Sequence, residues 1–280
     1  MPGLAVIGHP VAHSRSPEMQ TAALAELGLA GEWNYGALDV APEDFEATVA
    51  ELAAAGEYAG VNVTVPHKEA ALAMADEETD GARAIGAANT LSFEGGRIRA
   101  ANTDAGGLLR SLPAGTDGGR ALVLGAGGAA RGAIWALAHG GEGSPDAEGE
   151  PTSVAPFVVD VWNRTAGRGE TLAAELGARA VADPDPAAYA LIVNTTAVGL
   201  HGEDAFEHLP LGPDSFVPGQ IVVDMVYGEE PSALLAAAEA AGAVTVDGLE
   251  ILVQQGALSL RIWTGEDPSI EAMRTAVRRS

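Results

Sequence analysis

Short apolar runs recur along the chain, and most of them end at a glycine or a polar residue. Clear examples are Leu4–Gly8, Ala121–Leu124, Phe157–Trp162, Leu191–Asn194 and Ile221–Tyr227. Runs of this length without alternation are typical of strands that are buried on both faces of a parallel sheet. Helical patterns separate them. The sequence therefore predicts an α/β fold with mostly parallel sheets.

The segment 60–69, Gly-Val-Asn-Val-Thr-Val-Pro-His-Lys-Glu, has a different pattern, because apolar and polar residues alternate. This alternation predicts a strand whose three valines face the core, while Asn62 and Thr64 form a polar face. Pro66 would end the strand, which places Lys68 just beyond it, where a rigid element can hold polar groups against a small ligand. Lys68 is also the only lysine in the chain. Most lysines are merely solvated, but in this composition we expect a functional one.

Two polar clusters precede predicted helices. Ser16 followed by Pro17 predicts a helix start with the hydroxyl as cap and proline in the first turn. Capping explains Ser16 but not the nearby Ser14, and a helix N-terminus with two serines is suited to bind an anion. Segment 102–104, Asn-Thr-Asp, also precedes a helical pattern. Capping and a functional role for Asp104 are both open.

The second half of the chain contains a glycine motif, G-x-G-x-x-A, from Gly125 to Ala130. It lies between a buried strand and a helical run, which is the context of a dinucleotide-binding fingerprint. Glycines there allow the backbone to approach a pyrophosphate, and the helix N-terminus favours its charge. We therefore predict a Rossmann-type dinucleotide-binding domain.

The next predicted strand ends in Asn163-Arg164-Thr165, where an NAD-binding domain commonly has an acid on the ribose. An arginine at this position favours the 2′-phosphate of NADP. Two alternatives are open: Arg164 is an ordinary surface residue, or Asp160 is the ribose ligand because the strand ends early.

Acidic residues dominate the composition, with 39 Asp and Glu against 15 Lys and Arg and a formal net charge of −24. A nucleic-acid partner is therefore not expected. The surplus is typical of cytoplasmic proteins of extreme halophiles, in which salt screens self-repulsion; an ordinary acidic protein is the alternative.

Without cysteine, no disulfide or thiolate site is available. No apolar run approaches the roughly 18 residues of a membrane span, and the first residues do not form a signal peptide, so we expect a cytoplasmic protein without a membrane partner.

These motifs, in this order, resemble the shikimate dehydrogenase family over nearly the whole length. Members carry G-x-P-x-x-H-S-x-S-P, N-V-T-V-P-x-K, A-N-T-L with N-T-D, G-A-G-G-A, N-R-T and D-G-x-x-x-L-V-x-Q. The matching segments here are 8–17, 62–68, 88–91 with 102–104, 125–129, 163–165 and 247–255.

The resemblance implies reduction of 3-dehydroshikimate to shikimate with NADPH, in aromatic amino-acid biosynthesis, without a metal. It implies a catalytic pair, Lys68 and Asp104. It also implies a substrate domain (1–105), an NADP-binding Rossmann domain (106–250) and C-terminal helices (251–280) that return to the first domain. The implied substrate ligands are Ser14, Ser16, Thr64, Asn89, Tyr227 and Gln255, and the implied cofactor ligands are Gly125, Ala126, Gly127, Gly128, Ala129, Asn163, Arg164, Thr165 and Gly248.

The chain departs from the family pattern at a few positions. Gln20 and Thr21 replace a usual His-Asn pair, Gly256 replaces a usual alanine, and the acidic insertion at about 140–156 is unusual. The alternatives are therefore a quinate or dual quinate/shikimate dehydrogenase that uses NAD(P), and a non-catalytic metabolite-binding regulator on the same fold. For the assembly, the resemblance leaves a monomer and a homodimer open.

Overall fold

The computed structural model describes residues 2–140, 153–200, 202–228 and 230–278. Most of the acidic insertion predicted around 140–156 lies outside the described residues. The chain forms two compact units. The first combines the chain up to Gly107 with the part from Leu252 onward, and the second extends from Leu108 to Ile251. In the described ranges no helix is long and apolar enough to span a membrane.

The first unit contains a mixed six-stranded sheet. Its strands are β1 (Gly3–Gly8), β2 (Asn34–Asp39), β3 (Tyr58–Val63), β4 (Glu77–Glu78), β5 (Thr90–Glu94) and β6 (Arg97–Ala101). Their order in the sheet is β2-β1-β3-β5-β6-β4. The first three are parallel, so their C-terminal ends share one edge, whereas β5 is antiparallel to both of its neighbours.

Helices of the first unit follow these strands. They are α1 (Ser16–Glu26), α2 (Phe45–Ala55), α3 (Lys68–Ala73) and α4 (Asp80–Ile85), with a short 3-10 turn at Pro42–Asp44. Helix α5 (Asp104–Ser111) begins in this unit and ends in the second. A two-residue turn joins β5 to β6, and its residues Gly95 and Gly96 have φ of +59° and +79°. Both angles favour glycine, and this turn type matches the twist of a hairpin.

The alternation predicted for the strand before Lys68 is wrong. β3 ends at Val63, and the residues around its end are buried on both faces, since Val61, Asn62 and Val63 are all less than 7% exposed. Val65 lies beyond the strand and is 59% exposed. The reason is that both faces of β3 are covered: Val61 and Val63 pack in one core with Phe45 of α2, and Asn62 on the other face hydrogen bonds to Ser259 in the C-terminal part of the chain.

The second unit contains a fully parallel six-stranded sheet. Its strands are β7 (Gly119–Leu124), β8 (Phe157–Trp162), β9 (Arg179–Ala180), β10 (Leu191–Asn194), β11 (Ile221–Asp224) and β12 (Val244–Asp247). Their order is β9-β8-β7-β10-β11-β12. In chain order this is 3-2-1-4-5-6, the order of a Rossmann fold, in which the chain reverses direction between β7 and β10. The predicted α/β fold with a Rossmann-type domain is confirmed.

Helices of the second unit cover this sheet. They are α6 (Gly128–His139), α7 (Ala166–Leu176), α8 (Ala205–His208) and α9 (Ala233–Ala240), with a 3-10 turn at Pro186–Ala188. The chain then continues through α10 (Gly248–Thr264) and α11 (Ile270–Arg278). Helix α11 packs against α1 of the first unit, and its Met273 is fully buried. The predicted return of the C-terminal helices to the first domain is therefore confirmed.

Candidate active site

Lys68 and Asp104 form an ion pair in the first unit. Lys68 is the first residue of α3 and Asp104 the first of α5. The Nζ atom of Lys68 lies 2.6 Å from Oδ2 of Asp104, and the side chains are only 12% and 13% exposed. The backbone N–H of Asp104 is capped by the side chain of Asn102 at 3.1 Å, so the carboxylate is not needed as a helix cap. A charged donor and a carboxylate are therefore held together in a largely dry environment.

Asn89 connects this pair to the C-terminal part of the chain. Its Nδ2 lies 2.9 Å from Oδ1 of Asp104, 2.9 Å from Oγ1 of Thr103 and 3.1 Å from Oε1 of Gln255. Its Oδ1 accepts from the Thr103 N–H at 2.7 Å. Both oxygens of the Asp104 carboxylate thus have a donor, which fixes its orientation. The structure brings together Lys68, Asn89, Asp104 and Gln255.

A close helix contact places Gln255 at this site. A β-carbon on Gly107 would lie 2.6 Å from the Cβ of Gln255, so only glycine allows α5 and α10 to approach this closely here. Gln255 is 8% exposed, and its Nε2 donates to the carbonyl of Leu252 at 2.8 Å. Its Oε1 is thereby directed toward Asn89. The glutamine that the sequence motif singled out is held by its own helix.

A buried polar network below the site was not predicted from the sequence. The hydroxyl of Ser259 lies 2.9 Å from Oγ1 of Thr90, 3.0 Å from Oγ1 of Thr103 and 2.9 Å from Nδ2 of Asn62. The hydroxyl of Tyr35 donates to Oδ1 of Asn62 at 2.7 Å. Asn62 is therefore a buried support and not part of an exposed polar face. A polar residue within an apolar helix turn, as at Ser259, is the signal that would have found the network.

Ser14 lies in the loop that follows β1, Ser16 is the first residue of α1, and Thr64 directly follows β3. The prediction that the Ser16 hydroxyl caps α1 is wrong, because Arg15 is the N-cap and makes no side-chain cap, while Oγ of Ser14 accepts from the Ser16 N–H at 3.3 Å. Thr64 donates its N–H to the Ile7 carbonyl at 2.8 Å. The three side chains share the edge at which parallel strands β1 and β3 end. Lys68 also follows β3 at this edge, and we group the three side chains with it for that reason.

The glycine motif in the second unit lies where a dinucleotide pyrophosphate binds in Rossmann folds. Gly125 follows β7 with φ of +120°, a conformation that favours glycine, and Gly127 is the N-cap of α6 without a side-chain cap. A β-carbon on Gly127 would meet nothing within 4 Å, so the approach to the helix N-terminus is open. Ala126 lies between them, and Gly128 and Ala129 form the first turn, whose N–H groups suit an anion. The residues present fit a dinucleotide.

Asn163, Arg164 and Thr165 connect β8 to α7 at the same edge of the sheet. Asn163 donates from Nδ2 to the Thr165 carbonyl at 2.9 Å, which holds the turn, and the Arg164 side chain is exposed. A cavity of about 340 Å³ opens here; its lining includes Trp162, Asn163, Arg164, Thr196, Ala197, Val198, Glu203, His208 and Leu209. An apolar wall with an arginine at the strand end suits an adenosine that carries a 2′-phosphate.

Asp160 is not available as a ribose ligand. It is fully buried within β8, which runs on to Trp162. Its carboxylate accepts from Arg120 at 2.6 Å, from Arg179 at 2.7 and 2.9 Å, and from the Tyr189 hydroxyl at 2.9 Å. Burial alone would raise its pKa, but the bonds from Arg179, Arg120 and Tyr189 together lower it. Asp160 therefore supports the sheet, and the alternative with Asp160 as ribose ligand is excluded.

Tyr227 and Gly248 lie in the second unit, at the ends of β11 and β12. The buried Asp224 holds the turn before Tyr227, because its Oδ1 accepts from the Val226 N–H at 3.1 Å and from Nδ2 of Asn194 at 2.9 Å. Burial raises the Asp224 pKa. A β-carbon on Gly248 would lie 2.5 Å from the Met225 carbonyl oxygen. Gly248 is therefore required by the path of this turn, apart from any role toward a ligand.

Comparisons with known families agree with this architecture. Residues 6–91 match the model described as the shikimate dehydrogenase substrate binding domain. Residues 248–278 match the shikimate 5′-dehydrogenase C-terminal domain. Similar curated proteins include a shikimate dehydrogenase (NADP(+)) of Brucella abortus, strain S19, which is 42% identical over 96% of this chain and 91% of its own length. Another from Methanothermobacter thermautotrophicus is 38% identical over 98% of this chain and 95% of its own length.

Solved structures show the same similarity. Shikimate 5-dehydrogenase from Thermus thermophilus, in complex with NADP(H) and shikimate, superposes with a TM-score of 0.84 at 40% identity, covering 100% of this chain and 99% of that one. A 5-ketofructose reductase of Gluconobacter sp. strain CHM43 superposes with a TM-score of 0.80 at 29% identity, covering 99% of this chain and 97% of that one. Similar architectures thus occur in proteins named for different carbonyl substrates.

Proposed function

Because this chain belongs to the shikimate dehydrogenase family, we propose that it reduces 3-dehydroshikimate to shikimate with NADPH and that Lys68 delivers the proton to the reacting carbonyl. The reaction adds a hydride to the carbonyl carbon and a proton to its oxygen. The bound NADPH supplies the hydride. Providing the proton and stabilising the oxygen as it becomes an alkoxide are tasks for the protein.

The observation that carries the proposal is the 2.6 Å contact between Lys68 and Asp104. An ammonium group has three donor hydrogens, and the carboxylate uses one of them. No other hydrogen bond joins Nζ to the described residues, so the remaining hydrogens can bind the substrate oxygen in the reductive direction, where Lys68 acts as acid or as charged donor. Asp104, held by Asn89 at its other oxygen, orients the lysine and accepts from a neighbouring substrate hydroxyl. A non-catalytic regulator would need no such proton donor.

The remaining substrate groups are assigned by chemistry. Ser14 and Ser16, at the start of α1, provide donors for the substrate carboxylate. Thr64, Asn89 and Gln255 offer hydroxyl and amide groups that suit ring hydroxyls. We assign substrate binding to the first unit on this basis. Tyr227 is a further proposed substrate ligand from the family motif.

We assign cofactor binding to the second unit. The turn 125–129 would hold the pyrophosphate, and Asn163, Arg164 and Thr165 would hold the 2′-phosphate of the adenosine. Gly248 is proposed to lie near the nicotinamide, by family motif. Three further points stay predictions from the sequence: a monomeric or homodimeric state, the cytoplasmic location, and the absence of nucleic-acid and membrane partners.

The direct assay is oxidation of NADPH by 3-dehydroshikimate in molar KCl, with the reverse rates measured for shikimate and for quinate. We expect turnover with 3-dehydroshikimate and shikimate, and faster turnover with NADP than with NAD. A higher kcat/KM for quinate would instead establish the quinate alternative. Absence of turnover with every pair, in a folded protein that binds shikimate, would establish the regulator.

A further inference from the structure

The buried His67 precedes Lys68 and plays no part in the reaction as proposed. It belongs to the lysine turn, residues 64–68. It is 2% exposed, its Nε2 lies 2.8 Å from the Val40 carbonyl oxygen, and its ring stacks on Phe45 at 4.4 Å and 7°. Because a carbonyl only accepts, Nε2 carries the proton of this hydrogen bond. The imidazole therefore joins the lysine turn to the end of β2 and the start of α2.

The imidazole of His67 is neutral and holds one side of the lysine turn. Burial lowers the pKa of His67, against the opposing hydrogen bond to Val40, so the ring is neutral near pH 7. A neutral ring has one N–H, and Val40 uses it. The carbonyl of the next residue, Lys68, accepts from the Ala88 N–H at 2.9 Å. The backbone that carries Lys68 is therefore held from two sides.

Asp39, the last residue of β2, holds the loop that carries Ser14 and Ser16. This serine loop comprises residues 9–16. Oδ1 of Asp39 lies 2.6 Å from Nδ1 of His9, and its Oδ2 accepts weakly from the Val11 N–H at 3.4 Å. The hydrogen bond to His9 is the largest cause of the lowered Asp39 pKa. The Val11 carbonyl in turn accepts from the Ser14 N–H at 2.9 Å.

The lysine turn and the serine loop are also joined to each other at this edge. The His9 N–H donates to the Val65 carbonyl at 3.0 Å, and the Val40 N–H donates to the Gly8 carbonyl at 3.1 Å. A β-carbon on Gly8 would lie 2.4 Å from Cγ2 of Thr64, so the two segments are in tight contact. We infer that the C-terminal end of β2 positions both halves of the substrate site, the proton donor through Val40 and His67 and the anion-binding serines through Asp39.

This inference rests on the proposed function, because it takes Lys68 as proton donor and the serines as carboxylate ligands. It predicts that disturbing one segment changes kcat and disturbing the other changes KM, a separation that a general loss of stability would not produce. A disturbed lysine turn misplaces the proton donor and lowers kcat, whereas a disturbed serine loop weakens substrate binding and raises KM.

The first test is His67→Phe, which keeps the stacked ring and removes the donor to Val40. We expect kcat to fall about 10- to 100-fold, as for a small misplacement of a reacting group, with a shikimate KM within about threefold of wild type. His67→Gln, which retains a donor, should recover part of the kcat. The control is His139→Phe, because His139 also stacks on an aromatic ring, Trp135, and contacts a backbone carbonyl, but lies in the second unit.

The second test is Asp39→Ala. It should raise the shikimate KM about 3- to 10-fold, or about 0.7–1.4 kcal/mol, with little change in kcat. An unchanged kcat in folded His67→Phe, or a loss of kcat in Asp39→Ala without a change in KM, would overturn the inference. Should His67→Phe not fold, His67→Met decides, because it also removes the donor to Val40 and fills similar space; a kcat equal to wild type in this folded variant contradicts the inference.

Lys68→Met, assayed beside these variants, distinguishes a failure of the proton-donor role of Lys68 from a failure of the positioning role of β2. If it retains wild-type kcat, the proposed role of Lys68 as proton donor is wrong. If it loses activity while His67→Phe does not, the proposed function stands and the positioning role of β2 is wrong.

Discussion

The side chain of Gln20 donates from Nε2 to the carbonyl oxygen of Gly256 at 2.9 Å. Both residues depart from the pattern of the family, and in the structure they are neighbours across α1 and α10. A β-carbon at position 256 would lie 2.2 Å from Cε of Met19 and 3.1 Å from Nε2 of Gln20. Gln20 and Gly256, which both depart from the family pattern, therefore pack against each other next to Gln255. Oε1 of Gln20 has no hydrogen-bond partner among the described residues.

The first prediction concerns Gly256→Ala. Helix propensity alone favours alanine by about 0.8–1 kcal/mol, but overpacking against Met19 costs about 1–3 kcal/mol. We expect a net loss in the free energy of unfolding of up to about 2 kcal/mol, measured by denaturant unfolding. Met19→Leu in the same chain should recover part of it. Gly36→Ala is the control, because a β-carbon there meets nothing within 4 Å; a Gly256→Ala variant more stable than wild type would contradict the packing argument.

The second prediction concerns cofactor choice. Arg164→Ala should weaken NADP selectively, because a charge-assisted hydrogen bond to the 2′-phosphate contributes about 1.5–3 kcal/mol, or about 10- to 150-fold in kcat/KM. Arg168→Ala, an exposed arginine on α7 outside the cavity lining, is the matched control. Equal losses with NAD and NADP would mean that Arg164 only supports the fold.

The third prediction concerns salt. With a net charge of −24, repulsion acts over a Debye length of about 10 Å at 0.1 M salt and about 3 Å at 1 M. We expect the Tm and the activity to rise between 0.1 M and 3 M KCl. A Tm that does not change over this range would remove the halophilic interpretation and leave the enzymatic one intact.

The fourth prediction concerns Asp160 and acid. Its pKa is lowered in the folded state, so its contribution to stability is complete above the unfolded value of about 3.9 and is lost as the pH falls through the lower folded value. Asp160→Asn should cost about 1.5–3 kcal/mol at pH 7. The difference from wild type should stay constant from pH 7 to pH 5 and shrink only below about pH 4. A difference that already shrinks near pH 6 would contradict the assigned direction.

Much of the architecture was predictable because the signals are local. A buried strand, a glycine turn and a helix are adjacent in sequence, so β7, the 125–130 motif and α6 can be recognised without knowing the rest of the fold. The confirmed family and cofactor assignments depend on such motifs. The roles of Lys68 and Asp104 stay predictions, although the structure places both at helix starts within hydrogen-bond distance.

The rest was not predictable because it depends on partners far away in the chain. Val65 was expected to be buried, but β3 ends two residues earlier, once pairing with β1 is complete. Asp160 looked like a strand-end ligand until the sheet register placed Arg179 beside it. Ser259 stands out as a polar residue within an apolar helix turn, but the sequence does not show that its partner is Thr90, far away in the chain.

The most direct test of the central claim is the kcat of Lys68→Met with 3-dehydroshikimate and NADPH. This change keeps most of the side-chain length and removes the charge and all donors. We predict a fall in kcat of about 10² to 10⁴ with a smaller change in KM, as for a positioned proton donor. Asp104→Asn, measured in parallel, should cost less in kcat and more in KM if Asp104 mainly orients substrate, as proposed. A folded Lys68→Met enzyme with wild-type kcat would contradict the account.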